Sequence, residues 1–229
     1  TVPDRAIADV AHALSERGDA PGSCAVLHCS GALGADPLAS LHARGYAVGT
    51  LHPLRAIPNA TVGPDRLLGA FFALSGEPDA LFVGRRLVSL LGGRSIAVPT
   101  TRRPLYHAAA VLASNYAVVL LHEATRLLEQ AGADREDAEQ ALATLAIGAL
   151  ENAKELGADR ALTGPLLRGD VETIALHLRT LEPADARLYS ALGVRGLAWI
   201  DEGLPPGTAA EILVEHVKKL ISPGRIPVE

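Results

Sequence analysis

Short apolar runs alternate with amphipathic stretches in the first part of the chain, up to Thr101. The apolar runs, bounded by turn-forming residues, predict strands at Ser23–His28, Ala47–Leu51, Gly69–Ser75 and Arg94–Val98. Apolar residues at helical spacing between the runs predict helices at Asp36–Arg44 and Pro78–Leu91. Strands that alternate with helices indicate an α/β layer with a mainly parallel sheet.

From Arg102 onward the strand signals disappear and stretches of helical periodicity follow one another. The predicted helices are Pro104–Ala131, Asp134–Leu156, Val171–Leu181, Ala184–Ile200 and Thr208–Leu220. The predicted fold class is therefore α/β plus all-α. Residues 1–101 form the rear part of a nucleotide-binding type of parallel-sheet domain, and residues 102–229 form an all-helical domain.

The chain opens with Pro3-Asp4 and then apolar residues at helical spacing, which predicts a helix start with no strand before it. No initiator Met precedes this turn. We therefore expect that N-terminal sequence is missing from the chain. The opening residues also lack the charged and apolar regions of a secretory signal, which predicts a cytoplasmic protein.

The first helix of the predicted helical domain carries polar side chains in a segment otherwise suited to burial. At about 3.6 residues per turn, His107, Val111 and Ser114 lie along one line, with Asn115 beside it. Without partners, these buried polar groups would cost about a few kcal/mol, so the fold or a ligand must satisfy them. The apolar stretch Leu105–Leu121 is interrupted by them and is shorter than the roughly 20 residues of a membrane span. We expect a central helix of a soluble domain, with no membrane partner.

Composition and charge exclude several classes of protein. The 229 residues are 48% hydrophobic and 3% aromatic, which fits closely packed helices better than an aromatic-rich sandwich. The formal net charge is -5 and no run of Lys and Arg occurs, so we expect no nucleic-acid partner. Cys24 and Cys29 lie in one strand-like run without further ligands at short spacing, which predicts free thiols and no metal site.

Four sequence words, in order, resemble those of one known family. They are Leu27-His28-Cys29-Ser30-Gly31-Ala32-Leu33, Leu51-His52-Pro53-Leu54, Tyr106-His107-Ala-Ala-Ala-Val-Leu-Ala-Ser114-Asn115 and Leu162-Thr163-Gly164-Pro165-Leu-Leu-Arg168-Gly169-Asp170. Together they resemble the Rossmann-like proteins with a DUF2520 domain, in the 6-phosphogluconate-dehydrogenase-C-terminal-like superfamily. The resemblance extends from Val2 to about Trp199. It implies an incomplete Rossmann-like domain, a helical domain for substrate binding and dimerisation, and a homodimer.

The resemblance also implies NADP or NAD as cofactor. The family begins with a strand and a GxGxxG turn that hold the pyrophosphate, and we expect this main binding segment in the missing sequence. The cofactor contacts that the resemblance implies for this chain are Val2, Pro3, Ser30, Gly31 and Ala32. Val2 and Pro3 would follow a strand in the missing sequence, and Ser30, Gly31 and Ala32 follow the strand predicted at Ser23–His28. A helix start at Pro3-Asp4 and a tight turn at Ser30-Gly31 would explain these residues without a cofactor.

The predicted substrate-binding residues are His52, Asn152, Thr163 and Arg168. His52 precedes Pro53 after a strand and resembles the His-Pro step of prephenate-dehydrogenase-like relatives, although a lone His is more often structural. Arg168 stands in a Gly-bounded turn that suits a bidentate grip on a carboxylate or phosphate. In the same turn, Thr163 and Asp170 are candidate helix caps.

The predicted catalytic residues are His107, Ser114 and Asn115. Ketopantoate-reductase-like relatives carry a Lys on this helix with Asn one and two turns later. Here His107 takes a similar place, and the lysines of the chain, Lys154, Lys218 and Lys219, lie elsewhere. His107, with an unperturbed pKa near neutral, is then the expected proton donor, while Ser114 and Asn115 orient the substrate. The alternative is a helix seam in which Ser and Asn bond neighbouring helices.

These residues favour an NAD(P)H-dependent oxidoreductase that reduces a small carbonyl substrate, such as a 2-keto acid of the ketopantoate type. Two alternatives stay open at this point. One is a non-catalytic dinucleotide sensor or dimeric scaffold that keeps the fold without the family's Lys. The other is a reductase of an imine or a prephenate-like substrate.

Overall fold

The computed structural model describes residues 2–57, 59, 61, 63–197 and 212. The predicted helix Thr208–Leu220 and the end of Ala184–Ile200 lie outside the described residues. Two compact units divide the chain, Thr1–Ala124 and Thr125–Glu229. The helical segment that follows residue 102 is thus grouped, up to Ala124, with the α/β unit.

The first unit contains a four-stranded sheet. Its strands are β1 (Ala25–His28), β2 (Ala47–Pro53), β3 (Phe71–Gly76) and β4 (Arg94–Ala97). They pair in the order β1-β2-β3-β4, with β1/β2 and β3/β4 parallel and β2/β3 antiparallel. The antiparallel pair brings Gly49 opposite Gly76, where a Cβ on Gly76 would lie 2.5 Å from the Cα of Gly49. The mainly parallel sheet predicted from the sequence is confirmed, with one strand reversal that its pattern did not show.

The first unit also contains helices. They are α1 (Ile7–Ser15), α2 (Ala39–His42), α3 (Gly63–Leu67), α4 (Pro78–Leu90), α5 (Arg103–Ala113) and the first part of α6 (Asn115–Gln130). Of these, α1, α2 and α4 supply residues to the core of the unit. One buried cluster joins Ile7, Leu41 and Val48, and a second joins Phe72 and Val88. The predicted helix Asp36–Arg44 is a 3-10 turn at Asp36–Leu38 followed by the short α2.

Among its described residues the second unit contains helices, turns and no strand, as predicted. Its own helices are α7 (Arg135–Leu156), α8 (Ala158–Ala161), α9 (Val171–Thr180) and α10 (Pro183–Leu197). Ile174, Leu178 and Ala186 form its buried cluster. The Asp170 carboxylate accepts hydrogen bonds from the backbone N–H of Thr173 at 3.1 Å and from its hydroxyl at 2.9 Å. The helix cap predicted at Asp170 is confirmed.

The helix predicted as continuous over Pro104–Ala131 is divided at Ser114, which corrects the sequence-based expectation. Ser114 has φ -121° and ψ -71°, outside helical values, between the end of α5 and the start of α6. Backbone bonds persist around it, because Ser114 N–H donates to Ala110 and Val118 N–H donates to Ser114. Serine is a weaker helix former since its hydroxyl competes for backbone groups, which locates the break at this residue.

The apolar face of this helical segment is exposed within the first unit. Leu105, Leu112 and Val118 are 66%, 63% and 67% exposed. By length and composition alone, Thr100–Gln130 could cross a membrane, a test that the core helix of a soluble protein also passes.

Candidate functional site

The carboxyl ends of β1 and β2 lie at one edge of the sheet, because these two strands are parallel. His28 ends β1 and is followed directly by Cys29-Ser30-Gly31, while His52-Pro53 ends β2. The first turns of α5 bring Tyr106 and His107 to the same edge. Such edges are where open α/β sheets bind ligands.

Gly31 lies against two imidazole rings. A Cβ built on Gly31 would lie 2.5 Å from Nδ1 of His107 and 2.9 Å from Nε2 of His52, closer than real side chains approach. Glycine is needed here because it has no side chain to collide with the two rings. Its backbone conformation is not the reason, since its φ is not in the left-handed region. The Nδ1 atom of His107 is buried and has no hydrogen-bond partner among the described residues. The structure therefore brings together three predicted site residues and leaves one of their polar atoms unsatisfied.

The His52 ring is bonded to Tyr106, which the sequence analysis did not single out. The Nδ1 atom of His52 lies 2.6 Å from the Tyr106 hydroxyl, with the rings edge to face and their centroids 5.6 Å apart. Burial raises the pKa of Tyr106. Burial first, and then the positive charges of Arg103 and His107, lower the pKa of His52 to about 4.

At neutral pH these directions leave both groups of the pair neutral. The phenol keeps its proton, and either tautomer of the neutral imidazole satisfies the hydrogen bond at Nδ1. In the tautomer in which Tyr106 donates to Nδ1, the proton of His52 is on Nε2. The Nε2–H then faces Gly31, so His52 can donate a hydrogen bond there without being charged.

Arg103, the first residue of α5, is fully buried behind this pair. Its guanidinium donates to the backbone carbonyl of Ala73 at 3.4 Å and to that of Ser30, and its carbon lies 5.1 Å from the Tyr106 ring centroid. Burial lowers the pKa of Arg103. No carboxylate lies within 4.0 Å of it among the described residues, so a buried positive charge supports the site.

The loop after β1 is held by its own hydrogen bonds. The Ser30 hydroxyl donates to Oδ2 of Asp4 at 2.7 Å and accepts from the backbone N–H of Leu33 at 3.1 Å. His28 accepts the Ser30 N–H at Nδ1, and its Nε2 lies 2.6 Å from the carbonyl of Gly34. Among the predicted cofactor contacts, Ser30 thus already uses its hydroxyl in the fold, Ala32 is half-buried, and Val2 and Pro3 are exposed.

A cavity of about 960 Å³ opens beside the two histidines. Its polar lining includes Ser114 and Asn115, so all three predicted catalytic residues and His52 border one space. The other lining residues are apolar or positively charged: Pro53, Leu54, Arg55, Ala56, Ile57, Arg66, Ile96, Ala109, Ala110, Val111 and Ala113, together with Tyr106. A space of this size and mixed lining is typical of a site for a small organic molecule.

The remaining predicted substrate residues belong to the second unit. Asn152 lies on α7, and Thr163 and Arg168 lie in the segment between α8 and α9; all three are exposed. The backbone N–H of Arg168 donates to the carbonyl of Gly164 at 3.3 Å. Their roles in substrate binding stay predictions.

Metal ligands are not grouped at this site. Among the described residues, no set of three or more His, Cys, Asp and Glu side chains is placed to hold a metal ion. Cys24 and Cys29 are free thiols, as predicted, and burial raises the pKa of Cys29. The polar side chains described at the site are imidazole, phenol, amide, hydroxyl and guanidinium groups.

A known protein family and several solved structures are similar to this chain. The family described as "Domain of unknown function (DUF2520)" matches residues 70–195. No curated protein matches the chain. Protein TM1727 from Thermotoga maritima has a similar solved structure, with 23% identity and a TM-score of 0.65 over 95% of this chain and 76% of that one.

Two further solved structures carry functional names. One, named "putative NADP oxidoreductase", is from Bacteroides fragilis, with 21% identity and a TM-score of 0.63 over 85% of this chain and 72% of that one. The other is the pyrroline carboxylate reductase of Plasmodium falciparum with NADP bound, with 14% identity and a TM-score of 0.55 over 97% and 80% of the chains. Likeness at these identities shows the fold, a Rossmann-like α/β unit followed by helices.

Proposed function

Since the chain belongs to the family defined by the DUF2520 domain, we propose that it is an NAD(P)H-dependent reductase of a small carbonyl or imine compound. The observation that carries this proposal is the convergence of His52 and His107 on Gly31 at the carboxyl edge of β1 and β2. Two histidines facing one glycine, beside a cavity lined by Ser114 and Asn115, suit protonation of an oxygen or nitrogen during reduction. The names of two similar structures, an NADP oxidoreductase and a reductase with NADP bound, support the cofactor class.

The residues present fit a nicotinamide cofactor in part. The backbone at Gly31 lies in contact with the two imidazole rings, and the buried Nδ1 of His107 next to it lacks a partner among the described residues. In the proposal, Val2, Pro3, Ser30, Gly31 and Ala32 border the nicotinamide end through backbone atoms. The cofactor, when bound, supplies a hydride to the substrate carbon. No GxGxxG turn occurs in this chain, so the pyrophosphate contacts are not assigned to it.

The chain's own residues then manage the proton and the orientation of the substrate. His107 gives a proton to the substrate oxygen or nitrogen, and His52 holds that same atom through its Nε2–H. Ser114 and Asn115 orient the rest of the substrate across the cavity. Because His52 stays neutral, it stabilises developing negative charge without competing for the proton.

Two substrate classes enter the test. A 2-keto acid such as ketopantoate is the first, as expected from the sequence. A cyclic imine is the second, favoured by structural likeness to the pyrroline carboxylate reductases of Plasmodium falciparum and Coxiella burnetii.

The decisive experiment follows NADPH and NADH oxidation by the full-length protein with ketopantoate, pyrroline carboxylate and prephenate. We expect turnover with one substrate, and a loss in kcat of at least about a hundredfold in both His107→Ala and Asn115→Ala. His12→Ala, an exposed histidine on α1, is the matched control that keeps the rate. Full turnover in both site variants would refute the roles of these residues. Tight cofactor binding without turnover on any substrate would instead favour a dinucleotide sensor.

We further propose a cytoplasmic homodimer without membrane or nucleic-acid partners. Each unit exposes apolar residues that a second subunit would cover: Leu105 and Leu112 on α5 in the first, and Leu145, Ile147 and Leu150 on α7 in the second. Light scattering on protein purified without detergent should give twice the mass of the full-length chain. A monomer under these conditions would contradict the dimer.

A further inference from the structure

The wall of the cavity formed after β2 carries two arginines, Arg55 in the chain leaving β2 and Arg66 on α3. The Arg66 guanidinium donates to the backbone carbonyl of Ala56 at 3.2 Å, which ties α3 to this segment. Neither arginine has a carboxylate within 4.0 Å among the described residues. Both guanidinium groups are thus available to a ligand.

The charge on this cavity is of one sign. None of the described residues that line it is Asp or Glu. Asp4, whose negative charge acts on His52, is bonded to the Ser30 hydroxyl and does not line the cavity. Behind the cavity, buried Arg103 adds a further positive charge without a carboxylate partner among the described residues. Uncompensated positive charge at a partly enclosed site favours an anionic ligand.

The remaining lining selects among anions. Ile57, Ile96 and Val111 contribute apolar surface to the same cavity. A bare inorganic anion would leave most of the roughly 960 Å³ unfilled and this apolar surface wet. An organic acid with an apolar body would satisfy both parts of the lining.

We propose that Arg55 and Arg66 form an anion subsite, and that the cavity takes an apolar organic acid with its carboxylate at these arginines and its reacting group toward His52 and His107. Guanidinium groups bind carboxylates through paired, charge-assisted hydrogen bonds. This subsite lies within the first unit and differs from the grip expected at Arg168. The role of the subsite in turnover rests on the proposed reductase function, whereas its binding of anions does not.

Direct binding tests the subsite without any reaction. The probes are anilinonaphthalene sulfonate, an apolar anion, and N-phenylnaphthylamine, its neutral counterpart, both followed by fluorescence on the full-length protein. We expect Arg55→Ala/Arg66→Ala to weaken the sulfonate by at least about tenfold and the amine by less than about twofold, because only the anion loses charged partners. Arg86→Ala, an exposed arginine on α4, is the matched control and should leave both probes unchanged.

Single variants keep this test interpretable if the double variant folds poorly. Arg55→Glu should repel the sulfonate more strongly than Arg55→Ala, and Arg55→Lys should recover part of the binding, since the sign of the charge decides the result. Sulfonate binding should also weaken as salt is added, because both arginines are exposed. Sulfonate affinity that is equal in wild type, Arg55→Glu and the double variant would overturn the subsite.

Kinetics separates the subsite from the proposed reaction. With a keto acid that is turned over, its methyl ester should show at least about a tenfold lower kcat/KM, and the double variant should remove this preference. If neither the methyl ester nor the arginine substitutions change kcat/KM, the subsite is refuted while the reductase stands. Arginine-dependent sulfonate binding in a protein without reductase activity would refute the reductase while the subsite stands.

Discussion

Each compact unit contains a histidine bonded through Nδ1 to a tyrosine hydroxyl, and the two pairs are nearly identical in geometry. In the first unit, His52 and Tyr106 are 2.6 Å apart, with rings at 84° and centroids separated by 5.6 Å. In the second unit, His177 and Tyr189 are 2.9 Å apart, with rings at 88° and the same centroid separation. Local geometry alone does not distinguish them.

Their surroundings differ. Tyr189 packs against the core cluster of Ile174, Leu178 and Ala186, so the second pair joins helices α9 and α10. The first pair instead borders a cavity, faces Gly31 and has the buried Arg103 beside it. The first pair is therefore the one that the proposed function uses, and the second, within the core of its unit, is its structural counterpart. The second pair thus supplies built-in controls for the first.

We expect the largest loss of activity from a side chain introduced at Gly31, which contacts the rings of His52 and His107. In Gly31→Ala the new Cβ would lie within 3.0 Å of atoms of both His107 and His52, so the rings or the loop must move. We expect kcat/KM to fall at least about a hundredfold, as in the loss of general acid catalysis. Steady-state kinetics with the substrate identified for the wild type provides the measurement.

Gly148→Ala on α7 is the control for this substitution, because a Cβ there would meet nothing within 4 Å. It should keep the rate and gain about 0.5–1 kcal/mol in unfolding free energy, since Ala is the better helix former. If Gly31→Ala kept the wild-type rate with an intact fold, the two histidines would not act at the Gly31 position.

A second, smaller effect separates the two tyrosines. Tyr106→Phe and Tyr189→Phe each remove one hydroxyl bonded to a histidine, so each should lower the free energy of unfolding by about 1 kcal/mol. Only Tyr106→Phe should also lower kcat, by about tenfold, because His52 then loses the donor that fixes its proton on Nε2.

Nitrogen-15 chemical shifts of His52 report the same change directly. They should show the Nε2–H form in the wild type and in Tyr189→Phe, and a mixture of both forms in Tyr106→Phe. Equal losses of kcat in the two tyrosine variants would indicate that the first pair, like the second, has only a structural role.

Local signals explain what the sequence predicted correctly. The cap at Asp170 depends on residues within one turn, and strands such as β4 are bounded by turn-forming residues on both sides. The resemblance, carried by separate sequence words, named Gly31, His52 and His107 as site residues, but it did not predict that their atoms approach one another.

Nonlocal contacts explain what the sequence did not show. Arg103 reads as a charged residue at an exposed helix start, and only its bonds to the carbonyls of Ser30 and Ala73 reveal full burial. Tyr106 lies 54 residues from His52 in the sequence, so no local pattern indicates the hydrogen bond between them. No Gly or Pro marks the break at Ser114, so the apolar periodicity predicts one unbroken helix across it.

The smallest effect concerns stability against pH. The folded pKa of His52 is about 4, below the value of 6.5 expected in the unfolded chain, so the unfolded state binds more protons between these values. His52 therefore contributes stability above about pH 6.5 that is lost as the pH falls toward 4.

His52→Gln should reduce the drop in Tm between pH 7.5 and 5 by about a few degrees, measured by calorimetry. Part of the drop should remain, because burial also lowers the pKa of His28. Tyr189→Phe, which removes a matching hydrogen bond but no histidine, should keep the wild-type dependence. An unchanged dependence in His52→Gln would mean that His52 binds a proton as readily in the folded protein as in the unfolded chain, and would remove the basis for treating the two His–Tyr pairs as chemically different.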